Sequence, residues 1–249
     1  MPQVLVFPDA DALHRAAAEE VVATAAQACA VRGRFIWCVS GGNTPRAVYE
    51  LLATDAFASR IDWARMQLFF GDERCVAPTD AASNYRMVWQ ALVRHVPLAP
   101  EHIHRIAGEE LPPLAAQAYE ARLRALLGVF ETGAPATPFD LVLLGMGSDG
   151  HTASLFPGSV DEPGCWVSAR AALPVWRVTL TPLVLNAARA ASFLVAGPDK
   201  AERLEQVLAC PPRPTELPAQ RIAPAGPLRW LIDRAAAARL DPQVLSSQL

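Results

Sequence analysis

The stretch FDLVLLGMGSDGHTASLFPG, residues 139–158, decides how this chain is read. Leu141 to Leu144 form the apolar run that a buried strand needs, and glycines follow at once. Gly145, Gly147 and Gly150 satisfy G-x-G-x-x-G, the spacing of a dinucleotide-binding turn. That fingerprint also needs a helix opening at the third glycine and an acidic residue about 20 positions on, where the next strand ends. Here His151 follows the third glycine, and Pro157 and Gly158 stop a helix within about two turns. Asp161 and Glu162 lie in a Pro/Gly loop. The context fails, so the glycines are not read as a nicotinamide site.

What this turn offers instead is acid–base chemistry. Backbone N–H groups in a glycine turn after a strand point into a cleft, where they hold anions or a developing oxyanion. Asp149 and His151 lie two apart on it, and an imidazole held by a carboxylate is a general base near neutral pH. The same spacing fits Asp149 capping a short helix near Thr152, with His151 bonded to the turn. Spacing alone leaves both open.

Two further strand ends carry similar signals. RFIWCVS (34–40) breaks off at Gly41-Gly42, and SGGNTP sets Ser40, Gly41, Gly42, Asn43 and Thr44 ahead of a helix with Pro45 in its first turn. Free N–H groups and the helix dipole make this an anion cradle suited to phosphate. The alternative is an ordinary turn capped by Ser40 or Thr44; no G-K-[ST] follows, so it is not a Walker A loop. MQLFF (66–70) runs into GDER, where Asp72 and Glu73 suit acid–base work and Arg74 suits a phosphate or carboxylate. A structural ion-pair knot is the other reading of GDER, and Glu73 is assigned to it. Arg86, in SNYRM, is a ligand contact or a solvated helix residue. Lys200, in AGPDKA, stands at a helix start where a cation suits the dipole poorly, which marks it as a functional candidate.

Around these motifs the pattern predicts strands at VLVF, 177–181, 192–196 and 229–233. It predicts helices over 11–31, 46–53, 84–95, 114–127, 183–190 and 199–208, with a short one at AAAARL. Strands alternating with helices imply an α/β fold with a mostly parallel sheet covered on both faces. Ligands of such sheets bind beyond the carboxyl ends of the strands, so the three Gly-rich ends are expected to share one crevice. The Pro-rich CPPRPTELP (210–218) is read as a loop inside a single domain spanning 1–249.

Composition narrows the functional classes. With 52% hydrophobic and 19% charged residues, the 249-residue chain has enough apolar content for a full core. A net charge of −3 gives no global attraction to nucleic acid or anionic membrane, so an anionic ligand must be held locally. Five cysteines without a C-x-x-C pair suggest reduced thiols and a cytoplasmic setting. The start MPQVLVFPDADAL has no signal-peptide pattern, and no uncharged apolar run reaches about 18 residues. His14, His95, His102 and His104 lack metal-site spacing, and Ser148 lacks G-x-S-x-G because Met146 takes the first glycine's place.

Taken together, S-G-G-N-T-P (40–45), G-D-E-R followed by S-N-Y-R (71–86) and G-M-G-S-D-G-H-T-A-S-L-F-P (145–157) resemble the 6-phosphogluconolactonases. R-V-T-L-T-P-x-x-L-N (177–186) and G-P-D-K-A (197–201) extend the likeness through nearly the whole chain. These enzymes group with the glucosamine-6-phosphate deaminases. The resemblance implies a Rossmann-like three-layer α/β/α fold and cofactor-free, metal-free hydrolysis of 6-phospho-D-glucono-1,5-lactone, the second step of the oxidative pentose phosphate pathway. It implies His151 as the base that activates water, with Asp149 and Asp72 orienting it or binding sugar hydroxyls. Ser40 to Thr44, Gly147, Arg74 and Lys200 would hold the phosphate or lactone oxygens, with Arg86 and Arg177 as further contacts. The expected partner is the phosphosugar lactone, with no nucleic acid or membrane, for a cytoplasmic monomer or weak homodimer. Deaminases carry G-H-I-A-F-N-E, with a Glu five residues past the His; here that position is Phe156. A sugar-phosphate sensor is the rival from another class, but the N-terminus shows no helix-turn-helix or basic patch.

Overall fold

The structure, a computed structural model, describes residues 2–130, 133–136 and 138–241; the ends of the expected 1–249 span lie outside the described residues. Strand β1 (Gln3–Phe7) leads to α1 (Ala10–Arg32), whose Asp9 cap accepts from the Ala12 N–H at 2.8 Å. Leu13, Ala17, Val21, Ala25 and Ala28 give α1 one buried stripe at helical spacing. Strand β2 (Phe35–Val39) is buried at every position, as a parallel strand covered on both faces must be. Helix α2 (Asn43–Leu52) and a single turn, α3 (Asp55–Ala58), precede β3 (Met66–Phe70). A three-residue strand, β4 (Asp72–Arg74), leads to α4 (Asn84–Ala91), β5 (Ile103–His104) and α5 (Pro112–Leu127). The quoted stretch supplies β6 (Leu141–Gly145), and β7 (Val167–Arg170) and β8 (Arg177–Leu180) follow. The chain then runs through α6 (Pro182–Leu185), β9 (Ala191–Val195), α7 (Ala201–Ala209) and β10 (Leu228–Asp233).

Seven of the strands form one sheet in the order β1-β10-β9-β6-β2-β3-β5, and every pairing in it is parallel. Helices cover both faces, which gives the expected three layers. From β2 the chain builds outward through β3 to β5; from β6 it builds the other way, through β9 to β10. The order therefore reverses between β2 and β6, and the crevice of such a sheet opens at that reversal. Asp140 fixes this junction. One carboxylate oxygen accepts from the Ile36 N–H of β2 and the other from Arg32, both at 2.8 Å.

The second sheet, β4-β8-β7, is antiparallel. So 177–181 is a strand as read, but it lies outside the central sheet, paired with β4 and β7. These two strands and β5 are too short, at three, four and two residues, to show a period in sequence. The expected helix over 183–190 shrinks to α6, and 234–239 is a run of turns rather than a helix at AAAARL. The Pro-rich segment packs back on the quoted turn: Leu217 is buried, and the Ala219 N–H donates to Gly150 O at 3.0 Å. Among the described residues no helix is long and apolar enough to cross a membrane.

Candidate active site

Four neighbouring strands, β9, β6, β2 and β3, end around one cleft of about 380 Å³. Ser40, Gly41, Gly42, Asn43, Thr44, Asp72, Arg74, Gly147, His151 and Lys200 all line it, so the three Gly-rich ends do converge. The stretch after β9 adds a fourth side, with Asp199 beside Lys200 at 3.2 Å.

After β6 the chain folds into a tight turn closed by Gly147 N–H to His151 O at 2.8 Å and Gly150 N–H to Gly147 O at 3.0 Å. No helix opens near Thr152, so Asp149 caps nothing there. Asp149 Oδ1 instead takes the His151 backbone N–H at 3.1 Å and the ring Nδ1 at 2.6 Å. This leaves Nε2 as the unbonded nitrogen among the described residues, on a ring that lines the cleft and packs on Phe156 with ring centres 5.1 Å apart. Burial works to raise the Asp149 pKa, but the His151 N–H and imidazole outweigh it and hold the carboxyl below its usual range. Only glycine fits at 147: a Cβ there would overlap Nδ1 of His151 and crowd Oδ1 of Asp149.

The cradle after β2 is pinned from below. Tyr49 of α2 accepts from the Ser40 N–H at 3.0 Å and donates to Ser40 O at 2.9 Å. No side chain caps α2, so neither Ser40 nor Thr44 has the capping role, and the first N–H groups of the helix stay open at the cleft. Helix dipole and open donors together suit an anion. The Ser40 hydroxyl is buried and without a hydrogen-bond partner.

On the facing wall Asp72 is 7% exposed, and among the described residues no cation forms a salt bridge with it. Asn84 Nδ2 donates to its Oδ1 at 3.0 Å and Ser154 Oγ to its Oδ2 at 2.7 Å. Glu73 is structural, though not as an ion-pair knot. It accepts the N–H groups of Arg74, Asn84 and Tyr85 at 2.7, 2.7 and 2.8 Å, together with the Ser83 hydroxyl at 3.1 Å. Burial nevertheless pushes its pKa up. Arg74 donates to Ala82 O at 2.7 Å and, among the described residues, forms no salt bridge.

Three sequence candidates stand off the cleft. Asp149 acts from behind His151. Arg86 lines an adjoining hollow of about 490 Å³ that shares Gly42, Asn43 and Arg74 with the cleft. Arg177 pairs across from Arg74 on β8 and donates to Val175 O at 2.7 Å; burial and the neighbouring Arg74 charge lower its pKa. Sequence reasoning passed over Asn84, Ser154 and Asp199. Asn84 and Ser154 stood inside the quoted motifs SNYR and HTAS, but no spacing rule ties either to residue 72.

A family model for glucosamine-6-phosphate isomerases/6-phosphogluconolactonase matches residues 8–230. A 6-phosphogluconolactonase of Synechocystis sp. is 37% identical over 246 residues, covering 97% of this chain and 99% of that protein. One of Haemophilus influenzae is 35% identical over 202 residues, 80% of this chain and 84% of that one. Among solved structures, the 6-phosphogluconolactonase from Trypanosoma cruzi superposes with a TM-score of 0.83 at 31% identity, covering 96% of this chain and 97% of that chain. The chain belongs to the glucosamine-6-phosphate isomerase/6-phosphogluconolactonase family.

Proposed function

We propose that this cleft hydrolyses 6-phospho-D-glucono-1,5-lactone to 6-phosphogluconate, with His151 as the general base. The observation that carries the reading is the 2.6 Å contact between His151 Nδ1 and Asp149, which leaves the other nitrogen free on a ring lining the same cleft as the SGGNTP turn. The cradle Ser40 to Thr44 with Lys200 and Arg74 supplies the donors for the phosphate and the lactone oxygens. Nε2 takes a proton from water as the water oxygen bonds to C1. Charge gathers on the carbonyl oxygen, where preorganised donors stabilise it. The C1–ring oxygen bond then breaks, the imidazolium returns the proton to the departing ring oxygen, and the acid ionises to the carboxylate. Asp149 keeps the ring in one tautomer and stabilises the imidazolium. Asp72, held by neutral donors on both oxygens, has lone pairs left for sugar hydroxyls.

Deamination is the reading set aside. It needs a further acid–base group for ring opening and proton transfer, and Phe156 packs on the imidazole where the deaminases carry Glu. The test is ring opening of freshly generated lactone, measured against the uncatalysed rate, beside ammonia release from glucosamine 6-phosphate. Hydrolysis well above the blank without ammonia is the expected result. Ammonia release would overturn it.

A further inference from the structure

We propose that Ser154 is a positioning residue for this hydrolysis, its hydroxyl joining the His151 turn to Asp72 across the cleft wall. The inference rests on the lactonase reading above. Ser154 lies three positions after His151, and it is 1% exposed. Its Oγ donates to Asp72 Oδ2 at 2.7 Å, and its N–H donates to the Thr179 hydroxyl at 3.2 Å. Thr179 stands opposite Asp72 in the β4–β8 pairing, so Ser154 closes a triangle with both strands. Asn84 completes the hold by donating to the Asp72 backbone oxygen and Oδ1, each at 3.0 Å.

Two features separate this from ordinary core satisfaction. Between His151 and Ser154 lies Ala153, which lines the cleft at φ +47°, the left-handed region that costs a residue with a Cβ. Such a conformation persists only where its surroundings over-determine it. Here Thr152 Oγ1 donates to Gly145 O at 2.9 Å on one side and Ser154 holds Asp72 on the other. The second feature is charge. Among the described residues no cation forms a salt bridge with Asp72, and beyond the longer-range charge of Arg177 its carboxylate is held by neutral donors, so losing one frees it to turn. Ser154 thereby ties the turn after β6 to β4, two strands in different sheets with no shared strand pairing to fix them to one another.

The test is a four-protein cycle: wild type, Ser154→Ala, Asp72→Asn and the double variant, each assayed for kcat and KM on fresh lactone and for thermal midpoint. A substrate-positioning group misplaced by about 1 Å costs on the order of 100-fold, so Ser154→Ala, which lets Asp72 turn, should lower kcat by roughly 10- to 100-fold with KM within about threefold. Because the hydroxyl acts through Asp72, adding Ser154→Ala to Asp72→Asn should cost less than about twofold more in kcat. Losses that multiply would overturn the proposal. So would a Ser154→Ala protein that melts earlier yet keeps its kcat, since that is what a purely structural hydroxyl does. Should Ser154→Ala fail to fold, Ser154→Cys, with similar volume and a weaker donor, enters the same cycle under the same criteria. A wild type no faster than the blank would overturn the lactonase reading and this role together. An active wild type with multiplying losses would overturn the role of Ser154 alone.

Discussion

The imidazole of His151 is fixed on two sides, by Asp149 at Nδ1 and by the face of Phe156, and Gly147 leaves it the room to be there. A methyl group at 147 would occupy the ring's position. Gly147→Ala should therefore lower kcat by about 100-fold while every titratable group remains, because the proposed base is displaced rather than deleted. A thermal midpoint close to wild type with this loss would separate misplacement from unfolding; full activity would mean that the turn yields freely. Lys200 also lines the cleft, and among the described residues its salt-bridge partner is the exposed Asp199. A hydrogen bond to a charged group contributes about 1.5–3 kcal/mol, so Lys200→Ala should raise KM by roughly 10- to 100-fold with little change in kcat. An unchanged KM would remove it from the binding site.

Among the elements, α4 depends most on a single buried carboxylate. Glu73 sits at its N-terminus, where dipole and open N–H groups favour an anion, and four donors converge on it. Glu73→Gln turns one acceptor into a donor facing N–H groups. It should cost about 1–3 kcal/mol, read as an earlier urea midpoint; an unchanged midpoint would contradict the capping role. The longer elements were legible because their patterns are long: α1 shows its stripe over 23 residues, and β2 reads as an unbroken apolar run. Neither β4 nor β7 was visible, since three or four residues carry no period, and with them went the second sheet that holds Asp72 against Thr179. The three polar strand ends were legible as turns, and their convergence followed from the carboxyl-end rule for open sheets once the strand order set them side by side. The Asp72–Ser154 contact was not, because it joins residues 82 apart and depends on how the loops pack.

At the scale of the whole molecule, pH dependence of stability traces in part to one histidine away from the cleft. His104, at the sheet edge on β5, donates from Nε2 to Gln67 at 2.7 Å and presents Nδ1 to the Arg122 guanidinium at 2.8 Å. Burial first, then the Arg122 charge, lowers its pKa to about 4. The unfolded chain takes up this proton below about pH 6.5, while the folded protein refuses it until about pH 4. Stability is therefore complete above that window and declines as pH falls through it, by up to about 1.4 kcal/mol per unit. His104→Gln should flatten the slope between about pH 6.5 and pH 5 in urea unfolding, and an equal slope in the variant would assign the effect elsewhere.

In the proposed reaction the proton is taken by the imidazole at the mouth of the reversal between β2 and β6. The most direct measurement is the steady-state rate of lactone ring opening by His151→Ala and by wild type, each corrected for spontaneous hydrolysis. Removing a general base costs about 100- to 10,000-fold, so kcat should fall by at least that lower figure with KM changed only a few-fold. A His151→Ala enzyme that kept near-normal kcat would contradict the assignment of His151 as the base.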